Sequence, residues 1–232
     1  MQLNRWTVDT LANRLRTARH NIESQHWLPR LDLGYIPQTS YALSASAIRI
    51  ILNDIVLNER QRVMELGAGV STLYLSSVLA GISGGQLISV DHDQDWLEQV
   101  DRMLTRLGTR TAVRLIHAPL QTATDGGRPW YDREVLAEAL RPGWTIDSLI
   151  VDGPRARGPS DDETRHPALP VLVSSLNPAG AIVFLDDIGR AGERRILQRW
   201  STEFALDSWP VAEFCGLGVL VTRGRTPRRS IV

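Results

Sequence analysis

The sequence predicts an α/β protein built on a doubly wound, mostly parallel sheet, and three observations carry that prediction. From Arg62 onward, short apolar runs alternate with amphipathic segments at the spacing of βαβ units. The first run ends in a tight glycine turn, Glu65-Leu-Gly-Ala-Gly69, which opens onto an apolar stripe of helical period. Several later runs end in acidic residues, at the sheet edge where open α/β sheets bind their ligands.

Ahead of the sheet, Leu3, Trp6, Leu11, Leu15 and Ala18 recur among Arg and Asn at helical intervals, which predicts an amphipathic helix from Leu3 to about His20. Trp27 to Pro37, broken by Pro29, Gly34 and Pro37, reads as loop. A second helix starts within Thr39 to Ser44, with Leu43, Ala47, Ile48, Ile51, Leu52 and Ile55 on one stripe. Its Ser40 to Ser44 segment reads equally as an N-cap or as a wall of a cofactor site. Residues 1–60 are thus expected to form a helical extension or lid, and residues 61–232 a single globular unit.

Within that unit, the first strand closes at Leu66 and is followed by a helix carrying Val70, Leu73, Leu75, Val78 and Leu79. Gln86 to Asp91 reads as the second strand, and Asp95 to Leu107 as a helix with Trp96, Leu97, Val100, Met103 and Leu104 inward. Ala112 to Ile116, Ile146 to Val151 and Ala181 to Leu185 are the third, fourth and fifth strands. Pro129-Trp-Tyr-Asp132 reads as the start of a short helix through about Leu140, and another helix begins near Ala191. Phe204-Ala-Leu206 and Leu217 to Val221 suit a terminal hairpin, which brings the strands to seven.

Composition removes several function classes. No apolar stretch approaches the roughly 20 residues that span a bilayer, and Met1 to Trp6 lacks the apolar core of a signal peptide, so a cytoplasmic protein without a membrane partner is expected. Cys215 is the only cysteine, which excludes an internal disulfide and a cysteine-based zinc site. The net charge is zero and gives no field for nucleic acid; the Arg223, Arg225, Arg228, Arg229 cluster reads as a solvated tail. All 26 Lys-or-Arg positions are Arg, which excludes a lysine base or Schiff base.

The glycine turn is the centre of the functional reading. Gly67 and Gly69 allow backbone N–H groups to approach a ligand, and the helix N-terminus that follows adds partial positive charge. A dinucleotide fingerprint places a third glycine where this chain has Thr72. With an acid two positions before the first glycine, Glu65 to Gly69 resembles the first motif of the class I S-adenosylmethionine (SAM)-dependent methyltransferases. That resemblance implies a Rossmann-like fold with an antiparallel last strand. It also implies a SAM site drawn from Glu65, Gly67, Ala68, Gly69, Ser71 and Thr72. Asp91, roughly twenty residues past the turn, suits the ribose hydroxyls. His92 is a candidate flank for adenine, and the resemblance places Ala118, in His117-Ala-Pro-Leu120, near the same ring.

Asp152 closes the fourth strand, and Asp186 and Asp187 close the fifth. Three acids on one edge repel unless a cation or protons neutralise them, and all-oxygen ligation suits Mg²⁺. The alternative makes Asp186-Asp187 a cap for the helix near Ala191 and lets Asp152 bind substrate without metal. The two motifs together resemble the metal-dependent O-methyltransferases of the catechol and macrolide-sugar types, over roughly Thr39 to Arg199. That likeness places the metal on Asp152, Asp186 and Asp187. Both relatives carry Lys or His three residues after the fourth-strand acid, where this chain has Arg155, too basic to take a proton. His166, in the loop over the same edge, is a candidate base, while a metal-activated alkoxide losing its proton to water needs no side-chain base; Asp152 is the other catalytic candidate, as metal ligand. Arg155, Arg157 and Arg165 make that loop cationic, which suits a carboxylate- or phosphate-bearing acceptor.

The expectation is a SAM-dependent O-methyltransferase acting on a small-molecule or glycan hydroxyl, with Mg²⁺. Its rivals are a metal-free N- or O-methyltransferase, a SAM- or nucleotide-binding module without catalysis, and an NAD-dependent oxidoreductase, which Thr72 disfavours. The apolar N-terminal helices suit a cover for the chain's own site or for a second copy's, so a homo-oligomer stays open.

Overall fold

The computed structural model describes residues 5–28, 35–37, 39, 41–122, 128–155, 163–204, 206–209 and 215–224, with side chains from residue 14 onward. Nine strands follow the chain among them: β1 (Arg62–Leu66), β2 (Gln86–Asp91), β3 (Val113–His117), β4 (Leu120–Gln121), β5 (Trp130–Tyr131), β6 (Ser148–Val151), β7 (Ile182–Leu185), β8 (Leu206–Ser208) and β9 (Gly218–Thr222). Seven α-helices accompany them: α1 (Arg5–Trp27), α2 (Ala45–Leu57), α3 (Val70–Ala80), α4 (Gln94–Leu107), α5 (Arg133–Ala139), α6 (Ala168–Leu172) and α7 (Ala191–Glu203).

Seven of the strands form one sheet in the order β3-β2-β1-β6-β7-β9-β8, as the Rossmann-like expectation requires. β1 pairs in parallel with β2 on one side and β6 on the other, so the winding reverses at β1 and opens a crevice beyond its carboxyl end. The terminal hairpin is present, with β9 antiparallel to both β7 and β8. Register then sets the edge: Leu66 lies opposite Val90 and Val151, and Val151 opposite Leu185. The next residue on each strand is Gly67, Asp91, Asp152 or Asp186, so the four stand abreast.

Alternation along the buried strands divides the core into two layers. Val63, Ile150, Ile182 and Phe184 pack with Ile48, Ile51 and Ile55 of α2 and with Leu73 and Leu79 of α3. Met64, Leu66, Leu149, Val151 and Val183 pack on the opposite face with Leu136, Leu169, Ile196 and Trp200. Polar caps fix the helix entries. Ser44 Oγ accepts from Ala47 N, Asp93 from Trp96 N, and Asp132 from Glu134 N and Val135 N.

Several boundaries differ from the sequence reading. α1 runs on to Trp27, and α2 begins only at Ala45, behind its Ser44 cap. Trp130 and Tyr131 form no helix start: they pair antiparallel with Leu120 and Gln121, and α5 begins behind Asp132. An Asx cap ends a strand as readily as a loop, which hides this boundary from periodicity.

Where β1 meets its turn, the backbones of two loops nearly touch. Gly67 has φ +101°, and a Cβ there would lie 2.8 Å from the Gly153 nitrogen. Gly67→Ala therefore adds both left-handed strain and a backbone clash. It should lower the unfolding free energy by about 2–4 kcal/mol in urea denaturation.

Candidate functional site

The carboxyl ends of β1, β2 and β6 and the segments after β5 and β7 enclose a cavity of ≈ 470 Å³. Gly67, Ala68, Gly69 and Ser71 form its floor, Asp91, His92 and Trp96 one wall, and Asp152, Asp186 and Asp187 the other. The sequence reading placed all of these except Trp96 at a ligand site; Trp96 was expected in the core. Its Nε1 donates to the Ala68 carbonyl at 2.7 Å, so the indole braces the turn while its ring lines the cavity.

The glycine turn works differently from its expected role. The N–H groups of Gly67 and Ala68 both donate to the Val90 carbonyl, at 2.8 and 3.1 Å, and the Gly69 N–H donates to Thr72 Oγ1 at 2.8 Å. These donors are committed to protein partners, so the glycines contribute clearance. Glu65 lies behind the floor, fully buried and outside the cavity lining. It accepts hydrogen bonds from the hydroxyls of Ser71, Thr72 and Ser89, the last two at 2.6 Å. Glu65 and Thr72 thus hold the turn in shape, and of this cage Ser71 also lines the cavity. Burial pushes the Glu65 carboxyl up to about 7, against the pull of its three hydroxyls.

At the end of β2, Asp91 Oδ1 accepts from the Asp93 N–H at 3.0 Å, and burial raises the carboxyl above its ordinary value. His92 Nδ1 stands 3.1 Å from the same oxygen without hydrogen-bond geometry. Ala118 is fully buried outside the lining, with its N–H on the Asp91 carbonyl at 2.9 Å, so it supports the wall from behind. Tyr131, expected on a helix, lines the cavity from β5 with a buried hydroxyl that has no hydrogen-bond partner among the described residues. A Cβ at Gly153 would meet that hydroxyl at 2.2 Å. The absent side chain leaves room for it. Carboxylate, free hydroxyl, aromatic wall and cleared floor together fit a nucleoside-bearing cofactor.

Across the cavity the three acids do converge, each offering an oxygen within 4.8 Å of the others. Burial pushes Asp152 up to about 6, with Arg165 opposing and the Asp187 charge adding to it, and holds Asp186 well above the carboxylate range. Arg165, expected to face an acceptor, lines the cavity and is itself nearly fully buried among these acids. Its Nη2 donates to Asp152 Oδ1 at 3.2 Å and to Asp187 Oδ2 at 3.1 Å, and its Nη1 to the Asp186 carbonyl at 3.1 Å. The oxygen donors suit a hard divalent ion. Arg165 Nη2, however, already stands between Asp152 Oδ1 and Asp187 Oδ2, where it supplies the positive charge such an ion would bring.

His166 does not join the acids. Its ring lies outside the cavity lining, with Nε2 3.8 Å from Glu203 Oε2 of α7, and its carbonyl accepts from Trp200 Nε1 at 3.1 Å. The turn that delivers Arg165 inward carries the next residue outward. Arg155 lines the cavity, its guanidinium 4.1 Å above the Tyr41 ring, and Arg190 closes the lip with Nη2 3.0 Å from Asp187. Arg157 lies outside the described residues.

Residues 64–188, more than half of the chain, match the family model described as a methyltransferase domain. No curated protein matches the chain. Among solved structures, it is similar to the O-methyltransferase TomG from Streptomyces achromogenes, involved in tomaymycin synthesis and solved with SAM: 17% identity, 82% of this chain, 93% of that one, TM-score 0.58. An O-methyltransferase from Bacillus cereus solved with S-adenosylhomocysteine (SAH) shares 14% identity over 88% and 89% of the chains, at TM-score 0.56. The SAH-bound methyltransferase PaMTH1 from Podospora anserina shares 13% identity over 97% and 98%, at TM-score 0.58. At these identities the likeness shows the fold.

The Glu65 cage has a pH signature. Unfolded, Glu65 releases its proton near 4.5; folded, it keeps it to about 7. The folded state binds more protons in that window, so this group's stabilisation is complete below the window and is lost as pH rises through it. Glu65→Gln should therefore gain on the wild type between about pH 5 and pH 8, by up to roughly 3 kcal/mol in urea unfolding.

Proposed function

Because the chain belongs to the methyltransferase domain family, we propose that it is a SAM-dependent O-methyltransferase that moves a methyl group onto a hydroxyl of a small molecule or sugar. The observation that carries this reading is the meeting, in one cavity, of the cleared glycine floor, the Asp91 carboxylate and the Asp152 carboxylate. Two of the structurally similar proteins are O-methyltransferases solved with SAM or SAH, which supports hydroxyl oxygen as the acceptor atom.

When bound, SAM supplies a methyl group on a positively charged sulfur, whose S–C bond breaks as the acceptor's O–C bond forms. Asp91 would accept the ribose hydroxyls, and the Tyr131 hydroxyl supplies a further polar contact from within the wall. Ser71 and the backbone of the turn bound the floor, with Glu65 holding them from behind. Asp152 takes the hydroxyl proton of the acceptor, a role the sequence reading offered to His166. Because Arg165 stands between the carboxylates expected to hold Mg²⁺, that proton passes to Asp152 without a metal. Holding donor and acceptor in line accounts for most of the rate. Arg155 and Arg190 give the rim positive charge, which suits an acceptor bearing a carboxylate or phosphate.

Calorimetry and turnover test this reading together. SAH should bind the purified protein one to one, and Asp91→Ala should weaken it by about 10–100-fold. Asp152→Asn should leave SAH affinity nearly unchanged while cutting transfer of labelled methyl from SAM to hydroxyl acceptors by about 10²–10⁴-fold. Binding of NAD in place of SAH would overturn the proposal.

A further inference from the structure

The acids at the ends of β6 and β7 contain their own cation. Arg165 is 3% exposed, and one nitrogen, Nη2, lies between Asp152 Oδ1 and Asp187 Oδ2 at 3.2 and 3.1 Å. Nη1 reaches the Asp186 carbonyl at 3.1 Å and stands 4.0 Å from Glu193 Oε1. A planar fork with several donors satisfies two carboxylates and a carbonyl at once, which a lysine ammonium does only as a point charge.

The fork is also fixed from behind. Its turn, residues 163–167, is anchored at Glu163, whose two oxygens accept from Arg195 Nε at 3.0 Å and Arg199 Nη1 at 2.8 Å of α7. Trp200 Nε1 of the same helix holds the His166 carbonyl, and the Ala168 N–H closes the turn onto the Arg165 carbonyl at 3.1 Å. Moving Arg165 aside would take the guanidinium from the partly buried Asp152 and Asp187 and disturb these anchors. Arg190, with Nη2 3.0 Å from Asp187 Oδ2 and Nη1 3.7 Å from Glu193 Oε1, adds a second positive charge at the lip.

We infer that Arg165 is the resident cation of this cluster, holding the position between Asp152 and Asp187 that a divalent ion would otherwise take, and that the site works without metal. The inference rests on the methyltransferase reading for the reaction it serves. In that reaction Arg165 is a positioning residue: it holds one Asp152 oxygen and leaves the carboxylate aimed at the cavity to receive the acceptor's proton.

Manganese binding, followed by loss of the free-ion electron paramagnetic resonance signal, tests this on the intact protein. Equimolar wild-type protein should leave the Mn²⁺ signal undiminished, and EDTA should leave methyl transfer unchanged. Arg165→Met should open the position and raise Mn²⁺ affinity by about tenfold or more, a gain that Asp187→Asn in the same background removes. The wild-type titration needs no variant, so it decides the matter even if Arg165→Met fails to fold. Mn²⁺ uptake by the wild type that Asp187→Asn abolishes would overturn the inference. SAH calorimetry on the same samples separates the two readings: absent SAH binding removes the methyltransferase proposal, while the Mn²⁺ result still decides what occupies the cluster.

Discussion

The site depends on the near contact of two backbones, at Gly67 after β1 and Gly153 after β6. Both Asp152 N–H and Gly153 N–H donate to the Leu66 carbonyl, at 2.9 and 2.7 Å, which draws the two strand ends together beyond the last ladder pair. A side chain on Gly67 would strike the Gly153 backbone, and one on Gly153 would strike the Tyr131 hydroxyl. Because neither has one, Asp91 and Asp152 face each other across an open floor. The parallel register then brings Asp186 alongside them.

Carboxylates drawn from water at or behind this edge need compensation, and the protein uses two chemistries for Glu65 and for the Asp152–Asp187 pair. Glu65 lies in a cage of three hydroxyls, neutral donors that stabilise its charge only in part, and its pKa rises accordingly. Asp152 and Asp187 instead share a guanidinium. The first arrangement shapes the turn and keeps ligand at a distance from the acid. The second leaves carboxylate oxygens bordering the cavity, where the proposed reaction delivers its proton. Arginine suits this second place because its fork is always charged and its geometry matches two acceptors.

The fold was legible because its signals are local and repeat: apolar strand runs at βαβ spacing, a glycine turn, and acids closing strands. The position of Asp91, Asp152, Asp186 and Asp187 at the sheet edge was legible for the same reason, since a strand end projects there whatever surrounds it. What escaped was set by tertiary contact. The N–H groups of Gly67 and Gly69 were expected to meet a ligand, but Val90 on a neighbouring strand and Thr72 on α3 claim them. Tyr131 sits in a two-residue strand, too short to show a period. Arg165 and His166 are adjacent in an irregular turn, and which of them faces the acids is decided by the anchoring of Glu163 on α7. The missing Lys or His at Arg155 was the one hint in the sequence that the acids had another partner.

The most direct measurement is a crystal structure of the protein grown with SAH and Mg²⁺ together. The account predicts SAH in the cavity, with its ribose hydroxyls on Asp91 and its sulfur facing Asp152, and the Arg165 guanidinium still between Asp152 and Asp187. A magnesium ion on those carboxylates with Arg165 displaced, or SAH bound away from the glycine floor, would contradict it.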